Sequence, residues 1–150
     1  MHAEILSQKL TERLNRYFPS TVVNTIRICF REILINAIEH GNLGISFDEK
    51  TRAIEQGDYM QFLLARQKEP RFADRRVLVD YLINGRMLLF RVTDEGNGFD
   101  HGSFLERAKN DPFLSMLEHG RGIIMTKNVF DSVVFNDEGN QVILTKRIPR

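Results

Sequence analysis

The chain has 150 residues, 42% of them hydrophobic and 27% charged, enough for one globular domain burying roughly 70% of its unfolded surface and too little for two full ones. Its 21 Lys and Arg against 20 Asp and Glu leave a formal net charge of +1, so no bulk excess advertises a nucleic-acid or membrane partner, and any anion must be held by local geometry. The single cysteine, Cys29, excludes an internal disulfide framework and a Cys-based zinc site and suits a reducing compartment.

Leu6, Leu10, Leu14 and Tyr17 recur at three- and four-residue spacing and predict an amphipathic helix over residues 3–18, stopped by Pro19. Ser20 or Thr21 can cap a second helix reaching about His40, with Val22, Ile26, Phe30, Ile33 and Ala37 as its buried stripe and Gly41-Asn42 as its C-terminal punctuation. Residues 43–74 read as a helical insert: DEKTRAIEQ closed by Gly57, then YMQFLLARQK, capped by Asp58 and closed before Pro70. From Arg76 the period changes to two. RVLVDYLI and MLLFRVTD flank Asn84-Gly85, the dipeptide most typical of a two-residue hairpin turn. About twenty residues without clean periodicity follow the glycines at 96–98 and predict a mobile loop with one or two short helices. Residues 122–130 read as a helix, and DSVVF and QVILTKRI as a last hairpin across 136–140. Hairpin strands pair antiparallel, so the expected fold is α+β: a two-layer sandwich within a single domain over 1–150, its sheet mixed but mostly antiparallel, with helices on one face. No apolar run exceeds four residues, far below the ~20 of a membrane-spanning helix. The start MHAEILSQKL lacks the apolar core of a signal peptide. A soluble, cytoplasmic protein is the expectation.

Three stretches carry chemistry. In EILINAIEHGN, residues 32–42, Glu32 and Asn36 lie only ~40° apart on the helix, at the margin of the apolar stripe, and His40 falls inside that stripe. An amide oxygen suits Mg²⁺, and a neighbouring carboxylate can polarise a hydroxyl or water. The same pair is equally the ordinary solvent edge of an amphipathic helix, and His40 the ordinary histidine of a core margin. In VTDEGNGFD, residues 92–100, an aspartate at a strand end followed by two glycines lets the backbone approach a flat ligand, and Asp94 could accept from an exocyclic amine. A plain Asp-Gly turn reads the same way. In HGRGIIMTKN, residues 119–128, glycines ahead of a helix offer free N–H groups and the positive end of the dipole, and Arg121 adds charge. It is neither a Walker A loop nor a Rossmann fingerprint.

Together and in this order, an Asn-bearing helix, D-x-G-x-G-F after a strand, a variable loop and G-x-G before a helix resemble the asparagine box and two glycine boxes of the GHKL (histidine kinase-like) ATPase superfamily. The wording EILINAIEHGN, DEGNGFD and HGRGI is most similar to the bacterial anti-sigma factor serine/threonine kinases. The resemblance implies ATP and Mg²⁺ as cofactors, Asn36 as the metal ligand and Glu32 as the catalytic base. It implies Asp94 at the adenine amine with Gly96 and Gly98 shaping that wall, and His40 beside the nucleotide. Residues 100–118 would form a lid over ATP, Gly120, Arg121, Gly122 and Ile123 would meet the phosphates, and Thr145 would help seat the adenine. The implied substrate is an anti-sigma-factor antagonist, with a sigma factor as a second partner and a homodimer as the assembly. Two departures stand out: Ile124 occupies a position where the family often has a third glycine, and residues 43–74 exceed the usual connection. A second reading is a protein-binding module switched by ATP or ADP without phosphotransfer. A sensor histidine kinase fits poorly, because no phosphoacceptor helix precedes the nucleotide boxes.

Overall fold

A computed structural model describes residues 2–100, 106 and 118–149, without the side chains of 118–121. The chain forms α1 (His2–Thr11), a 3-10 turn (Glu12–Arg16), α2 (Ser20–Asn36), which continues as a π-turn (Ala37–Asn42), and α3 (Phe47–Gln56). After these come α4 (Tyr59–Gln67), a single turn α5 (Pro70–Ala73), β1 (Leu78–Ile83), β2 (Met87–Thr93), α6 (Glu118–Val129), β3 (Ser132–Phe135) and β4 (Gln141–Arg147). The four strands lie in the order β1-β2-β4-β3. Every pairing among the described residues is antiparallel, in line with the mostly antiparallel sheet expected. The α+β sandwich is the one expected.

The period-two pattern of the strands decides which face the helices cover. Leu88, Phe90 and Val92 on β2 and Val142 and Leu144 on β4 point inward and are buried, as are Val23, Ile26, Phe30, Ile33 and Leu34 of α2. At the centre the rings of Phe30 and Phe90 stack with centroids 4.1 Å apart, and Phe130 meets Phe90 edge-on at 6.3 Å. The alternate residues, Leu78, Leu82 and Val134 among them, remain exposed on the outer face.

Three local features differ from the sequence reading. The first helix does not run unbroken to residue 18. Thr11 is fully buried, its Oγ1–H donates to the Ser7 carbonyl at 2.7 Å, and the same oxygen accepts from Arg27 Nε at 2.9 Å. Back-bonding of this kind bends helices, and the chain tightens into the 3-10 turn that buries Leu14. Neither Ser20 nor Thr21 caps α2, because Pro19 takes the N-cap position and no side chain bonds there. In the first hairpin the register Ile83↔Leu88 and the Asn84 N–H bond to the Met87 carbonyl make Gly85-Arg86 the two-residue loop, one residue later than expected. Gly85 supplies the positive φ of 78°, and Asn84 Oδ1 accepts from the N–H groups of Arg86 and Met87.

Residues 43–74 are helical as expected and carry their own small core of Leu43, Ile45 and Phe72. Ser46 and Glu49 close a capping box on α3, and Gly57 ends that helix at φ 74°. Asp58 makes no capping bond to α4. The insert is tied to the π-turn by Glu39, only 7% exposed, which accepts from Lys50 Nζ at 2.6 Å and from the Tyr59 hydroxyl. Burial, and then the hydrogen bond to Glu39 and its charge, push the Tyr59 phenol well above its ordinary value.

Candidate functional site

α2 and its π-turn, the end of β2, the start of α6 and the β3–β4 turn enclose a cleft of about 600 Å³, including its open mouth. Ile33, Ala37, Val92, Ile123, Phe135 and Val142 give it apolar walls, and Asn36, His40, Asp94, Asn140 and Gln141 supply polar groups.

Asp94 reaches the cleft because it extends the sheet by one rung. Its N–H donates to the Asn140 carbonyl at 2.9 Å, and two residues past inward-facing Val92 its side chain points towards the helices. There it meets the π-turn. A Cβ on Gly41 would stand 2.5 Å from Asp94 Oδ1 and 2.7 Å from Oδ2, so the carboxylate occupies space that only glycine leaves. The φ of Gly41 is not positive; its role is close approach, not the helix punctuation expected of it. The wider turn carries this glycine past the stripe on which Ile33 and Ala37 lie, as π-turns often do at functional positions.

Gly96 donates its N–H to Asp94 Oδ1 at 2.8 Å, and a Cβ there would collide with the Gly41 carbonyl. Asn42, 5% exposed, accepts the Glu95 N–H on Oδ1 at 2.7 Å and so clamps the π-turn to the loop after β2. Burial pushes the Asp94 carboxyl above its ordinary range, while the Gly96 N–H and the charge of Arg75 partly offset this. Asp94 Oδ2 remains as an acceptor inside an apolar cleft. Gly98, at φ 75°, and Gly139, at φ 76°, interlock: a Cβ on the first would strike the Glu138 carbonyl, and on the second the Phe99 carbonyl. This holds the loop after β2 against the last turn, with Phe99 and Phe135 edge to face at 5.5 Å.

Glu32 stands one turn before Asn36. Its side chain is 37% exposed and accepts from Arg31 Nη1 at 3.0 Å, while Arg31 Nε also pairs with Glu4 at 2.7 Å. A Cβ on Gly122 would come within 3.1 Å of Glu32 Cβ, so α6 docks directly onto the Glu32 turn. His40 donates from Nδ1 to the Ile45 carbonyl at 2.5 Å, which fixes its tautomer, and its ring lies 4.4 Å from that of Phe47. Burial pushes the Cys29 thiol up, away from nucleophilic use.

The sequence matches the model of the histidine kinase-like ATPase domain over residues 5–146. The chain belongs to the histidine kinase-like ATPase family. No curated protein matches it. As a member of this family it is an ATP-binding domain, and the cleft fits that ligand: apolar walls for a base, a partly desolvated carboxylate for an exocyclic amine, and an asparagine amide in the lining.

Of the expected residues, the histidine kinase-like fold brings Asn36, His40, Asp94, Gly98 and Ile123 to the cleft, Gly96 against the Gly41 carbonyl behind Asp94 and Gly122 against Glu32. It does not bring Thr145. That residue pairs with Leu89 and Ser132 on the outer face, about 10 Å along β4 from Val142 by strand rise; an odd offset from the inward-facing Val142 and Leu144 turns it away. Gly120 and Gly122 lie inside α6 as described, not ahead of it. The Arg121 side chain and nearly all of the expected lid at 100–118 fall outside the described residues. Sequence reasoning missed Gly139 and Asn140, whose signal was the Gly-Asn pair within the last hairpin turn, and the bridging work of Asn42. Among the described residues no helix is long and apolar enough to cross a membrane.

Proposed function

We propose that this domain is a Mg-ATP-dependent protein serine/threonine kinase of the anti-sigma type, with an anti-sigma-factor antagonist as substrate and a sigma factor as a second partner. The observation that carries the reading is the pairing of Glu32 with Asn36. Asn36 lines the cleft, whereas Glu32, one turn away and partly exposed, stands where a substrate from solvent can reach it. Bound Mg-ATP supplies the phosphoryl group and most of the charge neutralisation, so the protein has mainly to position and to move one proton. In this reading Asn36 Oδ1 holds the metal, Asp94 Oδ2 takes the adenine amine, and Glu32 receives the proton of the incoming hydroxyl.

The test is transfer of labelled γ-phosphate from ATP to a purified antagonist domain. Glu32→Gln should keep ATP affinity and lose about 10²-fold or more in transfer rate. Undiminished transfer overturns the role given to Glu32. A specific contact favours the second reading, a nucleotide-switched binding module. The Arg31 guanidinium donates to Glu32 Oε1 at 3.0 Å and so already engages the carboxylate that would have to receive the hydroxyl proton. ATP binding with no transfer to any antagonist would support that reading over the first.

A further inference from the structure

Round α2 from the nucleotide cleft lies a second cavity of about 1000 Å³ with its open mouth. Its walls include Leu6 of α1, Leu34 of α2, Ile38 of the π-turn, Leu43, Phe72 and, on β1, Val79. Leu34 and Ile38 sit roughly a third of a turn round the helix from the cleft-lining Ile33 and Ala37, so α2 is the wall between the two cavities. Arg75 is the only lysine or arginine among the lining residues.

The chemistry turns on the ring of Phe72. Three guanidinium groups surround it, with Arg66, Arg71 and Arg75 at 5.7, 4.5 and 5.2 Å from the centroid. Arg66 is paired with Glu49 and Glu69, and Arg71 with Glu69. Arg75, half-buried, has no carboxylate in pairing distance among the described residues. Its side chain makes one hydrogen bond, from Nη1 to the Asn42 carbonyl at 2.9 Å. A planar donor fork with one tooth engaged, set beside the aliphatic wall of a cavity that also carries His2, Asn42 and Gln67, is the complement of a single carboxylate on a hydrocarbon chain.

We propose that this cavity binds an aliphatic monocarboxylate, its carboxylate on Arg75 and its chain along Leu34, Ile38 and Val79, and that occupancy weakens nucleotide binding. The coupling runs through two links. Asn42 holds Arg75 by its carbonyl and the Glu95 N–H by its side chain, next to Asp94. The Arg75 charge also favours the ionised form of Asp94, and a carboxylate seated on Arg75 cancels that field. The coupling rests on the ATP reading of the cleft; the binding does not.

Octanoate titrated into the nucleotide-free protein by calorimetry should bind one to one, and octanol about tenfold or more weakly, since it lacks the charge-assisted pair. Arg75→Gln should bind octanoate about tenfold more weakly. Leu6→Trp, which fills the cavity from α1 and lies outside the nucleotide site, should abolish octanoate binding and leave ATP affinity unchanged. Saturating octanoate should lower ATP affinity in the unaltered protein by about fivefold, within the usual range of site-to-site coupling, and should have no effect on Leu6→Trp. Absence of octanoate binding, or equal binding by Arg75→Gln, overturns the site. Octanoate binding with ATP affinity unchanged overturns the coupling. Failure of ATP to bind in the absence of octanoate instead overturns the nucleotide reading, and is seen separately.

Discussion

Gly41→Ala separates binding from folding. The added Cβ would start 2.5 Å from Asp94 Oδ1, whereas ordinary contact begins at 3.4 Å, so the carboxylate must retreat by about 1 Å. Oδ1 is held by the Gly96 N–H at 2.8 Å. A retreat of that size takes this bond to nearly 4 Å, outside hydrogen-bonding range, and withdraws Oδ2 from the position where it would meet the adenine amine. Loss of one hydrogen bond to a charged acceptor is worth about 1.5–3 kcal/mol, or roughly one to two orders of magnitude in ATP affinity. Folding loses the Gly96 bond too, but at a smaller net cost. Gly41 has an ordinary φ, and alanine recovers up to about 1 kcal/mol of helix propensity, which offsets part of the lost contact. The assay is ATP titration by calorimetry beside urea unfolding. ATP affinity within twofold of the unaltered protein, with stability also unchanged, would refute the argument that glycine is there to seat Asp94.

Asp94 carries a carboxyl raised by burial, so the folded state favours its protonated form, and that contribution is present at low pH and lost as pH rises through the folded value. Asp94→Asn should therefore raise the melting temperature of the nucleotide-free protein near pH 7, with the gain disappearing below about pH 4, while ATP binding is lost; melts from pH 3 to 8 read the first effect and calorimetry the second. Glu39→Ala leaves Lys50 and the Tyr59 hydroxyl without their shared acceptor and should cost about 2–3 kcal/mol in urea unfolding, a loss that Glu39→Gln should partly recover. Gly98→Ala imposes a side chain at φ 75° and against the Glu138 carbonyl. It should destabilise by more than about 2 kcal/mol, visible as a lowered urea midpoint.

The elements were largely legible because they rest on local patterning. Hydrophobic spacing in α2 and the alternation in β1, β2 and β4 survive into the fold since each has one face packed against the core. What stayed hidden was contact between distant segments. Asn42 and Glu95 lie 53 positions apart, and nothing in Gly-Asn at the end of a helical pattern reveals that the glycine makes room for Asp94 or that the asparagine bonds the next loop. Thr145 shows the converse. Its place in the site was implied by resemblance, yet one strand position turns a side chain to the opposite face, and the inward phase of Val142 and Leu144 sends it outward. The helix break at Thr11 depended on Arg27, sixteen residues on. The hairpin turn moved by one residue because Asn84 uses its side chain to accept from the loop and leaves the central position to Gly85.

The strand order has a bearing on the chain's history as it is made. β4 lies between β2 and β3 and pairs with both, yet of the described strands it is synthesised last, about fifty residues after its partner β2. Until it emerges from the ribosome, β2 presents one row of unbonded backbone groups and the apolar side chains of Leu88, Phe90 and Val92, an exposed edge of the kind that invites association between chains. Asp94 likewise lacks its Asn140 partner until then. Nucleotide can therefore recognise only a completed sheet, and by mass action it would draw newly released chains towards that state and away from aggregation.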